Sequence, residues 1–158
     1  MIDLLLRNAC IAGQDTVTDI AVDQGRITAA ADQEAREVID LGGKRIRHID
    51  TPHVPHNWEA RVLFEETTRT LLCGDLFTHT GDGPALTDSD IVGPALAAEE
   101  LFHATALTVV TASTIRRLAT LEPQLLALMH GSSTRAHCSE ALVRLAEAYE
   151  LMVRQREK

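Results

Sequence analysis

The run Arg61-Val62-Leu63-Phe64-Glu65-Glu66-Thr67-Thr68-Arg69-Thr70-Leu71-Leu72-Cys73 places two short apolar, β-prone stretches on either side of a polar turn. That is the pattern of a hairpin. Before it stands a loop-like segment rich in imidazoles, His48-Ile49-Asp50-Thr51-Pro52-His53-Val54-Pro55-His56-Asn57-Trp58, and directly after it comes Cys73-Gly74-Asp75. A hairpin between them returns the chain to the edge it left, so His56 and Asp75 meet at one sheet rim. A third apolar run, Leu125-Leu126-Ala127-Leu128-Met129, reads as a buried strand ending at His130-Gly131-Ser132. Imidazole, carboxylate and imidazole at strand ends, two of them beside Gly, are the residue types of a metal site on a rigid rim.

These residues also carry a family resemblance. Thr51-Pro52-His53-Val54-Pro55-His56, Leu72-Cys73-Gly74-Asp75-Leu76-Phe77 and Met129-His130-Gly131-Ser132 resemble the later metal motifs of the metallo-β-lactamase fold. The His56-Asn57-Trp58 sequence is most similar to the branch that includes the oxygen-binding di-iron domains of flavodiiron proteins. The resemblance implies His56, Asp75 and His130 as metal ligands, Asp75 as the catalytic carboxylate, and a divalent metal, zinc or iron, as cofactor. Thr51-Pro52-His53 also resembles the Thr-Pro-Gly-His form with Gly lost, which keeps His53 as an alternative ligand. His79, four residues beyond Asp75, is a further alternative or a neighbour of the ligands. One departure is large. The family's first motif, His-x-His-x-Asp-His, has no counterpart, because no His precedes His48. The chain therefore resembles the C-terminal half of that fold, and the implied function is a metal-dependent hydrolase with an incomplete site and weak or no activity alone.

Residues 1–44 carry a different resemblance. Asp3-Leu4-Leu5-Leu6-Arg7-Asn8-Ala9, Asp19 to Ile27 and Val38-Ile39-Asp40-Leu41-Gly42-Gly43 are similar to the N-terminal β segment of amidohydrolases such as dihydroorotases and hydantoinases. There the chain runs on into a metal-bearing barrel of roughly 250 residues, more than this whole chain of 158 residues supplies. Action on cyclic amides is thus the weaker alternative, beside a non-catalytic scaffold. The expected organisation is 1–44, amidohydrolase-like β-hairpins, and 45–158, the metallo-β-lactamase-like half. Turns are expected at Gly13-Gln14-Asp15 and Asp23-Gln24-Gly25, strands at 2–6, 17–22, 26–29 and 37–40, and a loop or helical turn over 29–36.

After the rim, Thr78 to Asp90 reads as a long loop with capping residues at its end. A helix follows from Pro94 through Ala106, with Leu96, Leu101 and Phe102 as its buried stripe. A second helix, Ile115 to Leu121, is capped from Thr111–Thr114, and a third is capped by Ser139. In the third, Leu142, Leu145, Ala146 and Tyr149 recur at helical spacing. The fold class is α/β (α+β): half of an αββα sandwich with extra N-terminal hairpins. A half sandwich leaves one sheet face uncovered, which implies a homo-oligomer.

Composition excludes several partners. A net charge of −8 and a pI near 5.3 oppose binding to nucleic acid or an anionic membrane. No apolar run approaches the ~20 residues of a bilayer span. Cys10, Cys73 and Cys138 form no Cys-x-x-Cys pair, and each reads as a small buried apolar residue. With Asp3, Arg7 and Asn8 interrupting any signal core, a cytoplasmic protein acting on a small molecule is expected.

Overall fold

The computed structural model describes residues 1–11, 16–24, 26–28, 34–56 and 59–156, with the side chains at 10, 11, 26, 27 and 37 left aside. The turn at Gly13-Gln14-Asp15, most of the 29–36 loop, Gly25, Asn57-Trp58 and the Cys10 side chain lie outside the described residues. The fold is α+β, and the chain divides into two compact units: residues 1–47 with 65–67, and residues 48–64 with 68–158. No helix among the described residues is long and apolar enough to cross a membrane.

In the first unit, β1 (Ile2–Ile11), β2 (Val17–Asp23) and β3 (Arg26–Thr28) form an antiparallel meander. Sequence alternation suggests that β4 (Ala35–Asp40) continues these hairpins; instead it lies parallel to β1, with Leu4 opposite Glu37 and Leu6 opposite Ile39. Alternation encodes which face is buried, not strand direction. The register slips between Leu6 and Ala9. Asn8 sits inside that slip at φ +55°, a left-handed conformation that Asn tolerates better than most residues. Its backbone N–H donates to Asp19 Oδ1 at 2.9 Å and its Nδ2 to Asp40 Oδ1 at 2.8 Å, so the bulge is tied on two sides. Ile2, Leu5 and Ala21 are the buried centre of this unit.

The second unit carries the larger core. β6 (Arg61–Glu65) and β7 (Thr70–Gly74) are the expected hairpin, and the sheet continues through β9 (Leu125–Leu128) and β10 (Ser133–Thr134) to β8 (Leu86–Thr87). β9 runs parallel to β7, with Leu71 opposite Leu126. Alternation along β6 and β7 sends Val62, Phe64, Leu71 and Cys73 inward and leaves Leu63 and Leu72 exposed. The inward residues meet α2 (Thr111–Ala119) and α3 (Cys138–Arg156) through Ile115, Leu118, Leu142, Leu145, Ala146 and Tyr149. Each fully buried Leu or Ile contributes about 1.5–3 kcal/mol of hydrophobic stabilisation. Cys73 and Cys138 are free and buried.

Several local expectations change. Thr111–Thr114 lie inside α2 rather than capping it, α2 ends at Ala119 rather than Leu121, and the first helix ends at Phe102 rather than Ala106. His48, Ile49 and Asp50 belong to β5 (Arg45–Asp50), so the imidazole loop begins at Thr51. α1 (Val92–Phe102) starts ahead of Pro94, because the Asp90 carboxylate accepts the N–H groups of Val92 and Gly93 at 3.3 and 2.9 Å. Its buried residues are Val92, Ala95, Ala98 and Glu99, whereas Leu101 and Phe102 are 70% and 54% exposed. Leu96 packs against the core as expected, while Ala95 and Ala98 on the inner face let the helix approach closely and Leu101 and Phe102 fall outward. Ser139 is not the cap of α3: its hydroxyl donates to the Ala119 carbonyl at 3.2 Å, and the helix already includes Cys138.

Candidate metal centre

Two loops and one strand end bring the site together within the second unit. The loop from Thr51 is pinned at its base by Thr51 N–H to Ala60 O and Val54 N–H to Thr51 O, both 2.9 Å. Val54 is fully buried, which anchors the loop and lifts His56 to the rim. His56 takes φ +73° and forms a parallel bridge with Thr105. At the end of β7, Gly74 at φ +56° has open space where a Cβ would stand. Its role is therefore conformational: it turns the backbone so that Asp75 leaves the strand at the rim. Asp75 is then held by a tight turn, with Thr78 N–H and Oγ1–H donating to its carbonyl at 3.0 and 2.7 Å.

Asp75 has one imidazole at each carboxylate oxygen. His56 Nε2–H donates to Oδ2 at 2.6 Å, while His130 Nε2 lies 3.3 Å from Oδ1. A carboxylate only accepts, so the proton of the first bond sits on His56 Nε2. The second contact is within ion-pair reach but lacks hydrogen-bond geometry, so Oδ1 is buried without a hydrogen-bond partner. An orphaned carboxylate oxygen is costly to bury, and a hydrogen-bond donor or a cation placed against it would offset that cost. The donor set, two imidazoles and a carboxylate, suits zinc or iron in chemistry. In arrangement it falls short of a cage. Ligands at ~2.0–2.2 Å from one ion stand about 3 Å or more apart, which Oδ1 and His130 satisfy and the shorter His56 contact does not. Accordingly, no group of three or more His, Cys, Asp or Glu among the described residues is already disposed around one point.

His79 plays another part. Its Nδ1–H donates to Phe77 O at 3.0 Å, and its Nε2 accepts the Ser132 N–H, also at 3.0 Å. A backbone N–H can only donate, so this ring is the neutral Nδ1–H tautomer with neither nitrogen left for a metal. His79 N–H also donates to His130 O at 3.2 Å. The residue is a strut between the Asp75 turn and the His130 turn. His53, at φ +61° in the loop, is not among the described partners of Asp75. His48 and His103 are exposed, and His137 pairs with Glu140 at 3.3 Å on the surface.

The three rim residues open onto a cleft of about 200 Å³. Leu76, Phe77, Ala95, Ala98 and Phe102 give it an apolar wall, and Glu99, Thr105 and Tyr149 also line it. Burial first, then the Glu99 charge, pushes the Tyr149 phenol up to about 12, with a hydrogen bond to Thr105 opposing. Glu99 and Thr105 carry no signal in the sequence, and Tyr149 reads there as core rather than as cleft lining: Glu99 stands in Ala97-Ala98-Glu99-Glu100, where either acid reads as a solvated helix residue.

No family model matches the chain, and no curated protein matches it. Solved structures do. The apo state of the chemotaxis sensor ODP from T. denticola is 18% identical, with a TM-score of 0.53 over 70% of this chain and 45% of that one. The same sensor with a peroxy diiron species gives 18% and 0.52 over 70% and 46%. A diflavin flavoprotein A 5 fragment from Nostoc sp. PCC 7120 gives 15% and 0.51 over 68% and 43%. The chain spans less than half the length of these structures. At such identities the likeness is one of fold, and the fold of this chain is α+β and metallo-β-lactamase-like.

Proposed function

We propose that the second unit is a metal-binding module in which Asp75, His130 and His56 hold a divalent metal in an incomplete site. On this reading the chain alone hydrolyses small-molecule substrates weakly or not at all. The observation that carries it is Asp75 itself, with an imidazole at each oxygen and a buried Oδ1 lacking a hydrogen-bond partner. The metal, when bound, supplies a Lewis acid that lowers the pKa of a water toward ~7. His130 and Asp75 Oδ1 would hold it, and His56 would join only by giving up its Nε2 proton. Meanwhile His56 orients the carboxylate through Oδ2, and His79 keeps the two turns together. Zinc and iron are both candidates; the peroxy diiron species of the ODP sensor makes iron the first to try.

A metal-free scaffold is the second reading, favoured by the closed 2.6 Å contact between His56 and Asp75. The amidohydrolase likeness of residues 1–44 rests on sequence alone, and no His precedes His48 to supply that chemistry. Purified protein should be assayed on β-lactam, thioester and phosphodiester substrates with added zinc, manganese or iron. Marginal turnover that vanishes in both His56→Ala and Asp75→Ala supports the module. Vigorous turnover would mean that the site is complete, and turnover indifferent to both changes would place the chemistry elsewhere.

A further inference from the structure

Glu99 is a charged residue on the inner face of α1, only 6% exposed. Burying a carboxylate is costly unless hydrogen bonds replace its water. Here they come from one residue: Thr105 N–H donates to Oε1 and Oε2 at 3.1 and 3.2 Å, and Thr105 Oγ1–H donates to Oε2 at 2.8 Å. Thr105, itself buried, is also the residue bridged to His56. His56 needs such a hold. Its φ of +73° is unfavourable for a residue with a side chain and persists only where the surroundings over-determine it. Glu99, Thr105, His56 and Asp75 all line the same cleft.

We infer that Glu99 is a positioning residue for His56, acting through Thr105. The inference rests on the proposed metal module for its importance but not for its geometry. Among the described residues the Glu99 carboxylate accepts all three bonds from Thr105. Glutamine keeps one acceptor for the Thr105 N–H but replaces the other with an NH2 that only donates, so the bond with Thr105 Oγ1 has to reverse, with shape and volume almost unchanged. With the clamp weakened, the loop carrying His56 relaxes from its left-handed conformation and the contact with Asp75 lengthens.

The test is the imidazole 15N–1H spectrum of metal-free wild type and Glu99→Gln, with zinc affinity measured alongside. In Glu99→Gln the His56 resonances should shift and broaden while those of His79 stay in place. A merely structural role for Glu99 would lower the melting temperature and leave the His56 spectrum alone. Unchanged His56 resonances overturn the inference. If Glu99→Gln does not fold, Thr105→Val, which keeps the backbone N–H but loses the hydroxyl, decides in the same way: His56 moves or the inference fails. If wild type binds no zinc, the metal module falls, and the His56 spectrum still decides the role of Glu99.

Discussion

The His79 ring occupies the space that a side chain on Gly131 would need: a Cβ there would stand 2.4 Å from His79 Cε1. Gly131 also takes φ +106°, so the position excludes other residues twice, by backbone conformation and by contact. What is gained is the strut from Phe77 O through the imidazole to Ser132 N–H, which fixes the His130 turn against the Asp75 turn.

Gly131→Ala should therefore destabilise the chain by about 3 kcal/mol, combining backbone strain with overpacking. Urea unfolding monitored by circular dichroism measures it. A loss below about 0.5 kcal/mol would mean that the ring and the turn move apart freely.

Tyr149 is the chain's one tyrosine, so tyrosinate absorbance reports on it alone. Its folded pKa is raised from 10.0 to about 12. The folded chain therefore keeps its proton longer than the unfolded one. The stability tied to that proton is complete below pH 10 and is lost as pH climbs toward 12, a change on the order of 2 kcal/mol. Burial pushes the Cys73 thiol up as well, which adds to alkaline instability. The difference between wild type and Tyr149→Phe isolates the phenol. The titration midpoint should fall near 10 in denaturant and near 12 in the folded chain; coincident midpoints would contradict the burial.

The faces of the helices make a contrasting pair. Leu142 is fully buried, and Leu142→Ala should cost about 2–5 kcal/mol. Leu101, on the outward arc of α1, should change stability by less than about 0.5 kcal/mol when replaced by Ala. Thermal melts of the two variants check this, and equal losses would put Leu101 in the core.

What the sequence made legible follows from period and punctuation. The hairpin from Arg61 to Gly74, the apolar run ending before His130, and the Leu142-Leu145-Ala146-Tyr149 stripe each repeat a spacing that a single element dictates. Gly74 announces a left-handed turn, and the carboxylate behind it emerges at the rim. Other features depend on tertiary packing that no spacing records. The direction of β4 relative to β1 leaves alternation unchanged. The inner face of α1 is built of Val92, Ala95, Ala98 and Glu99, so of the large apolar residues in the expected stripe Leu96 reaches the core and Leu101 and Phe102 lie on the outward arc. β8 and β10 are each two residues long, below any period. Glu99 and Glu100 are indistinguishable until one is seen to be buried, and His79 looks like a rim ligand until both ring nitrogens are found on backbone atoms.

The most direct test of the metal module is calorimetric titration of apo wild type and Asp75→Ala with zinc and, anaerobically, with ferrous iron. The expected result is about one ion per wild-type chain, bound weakly, with Kd on the order of 10 μM (about −7 kcal/mol), and no binding by Asp75→Ala. Two tightly bound ions, no ion at all, or equal binding by the variant would contradict it.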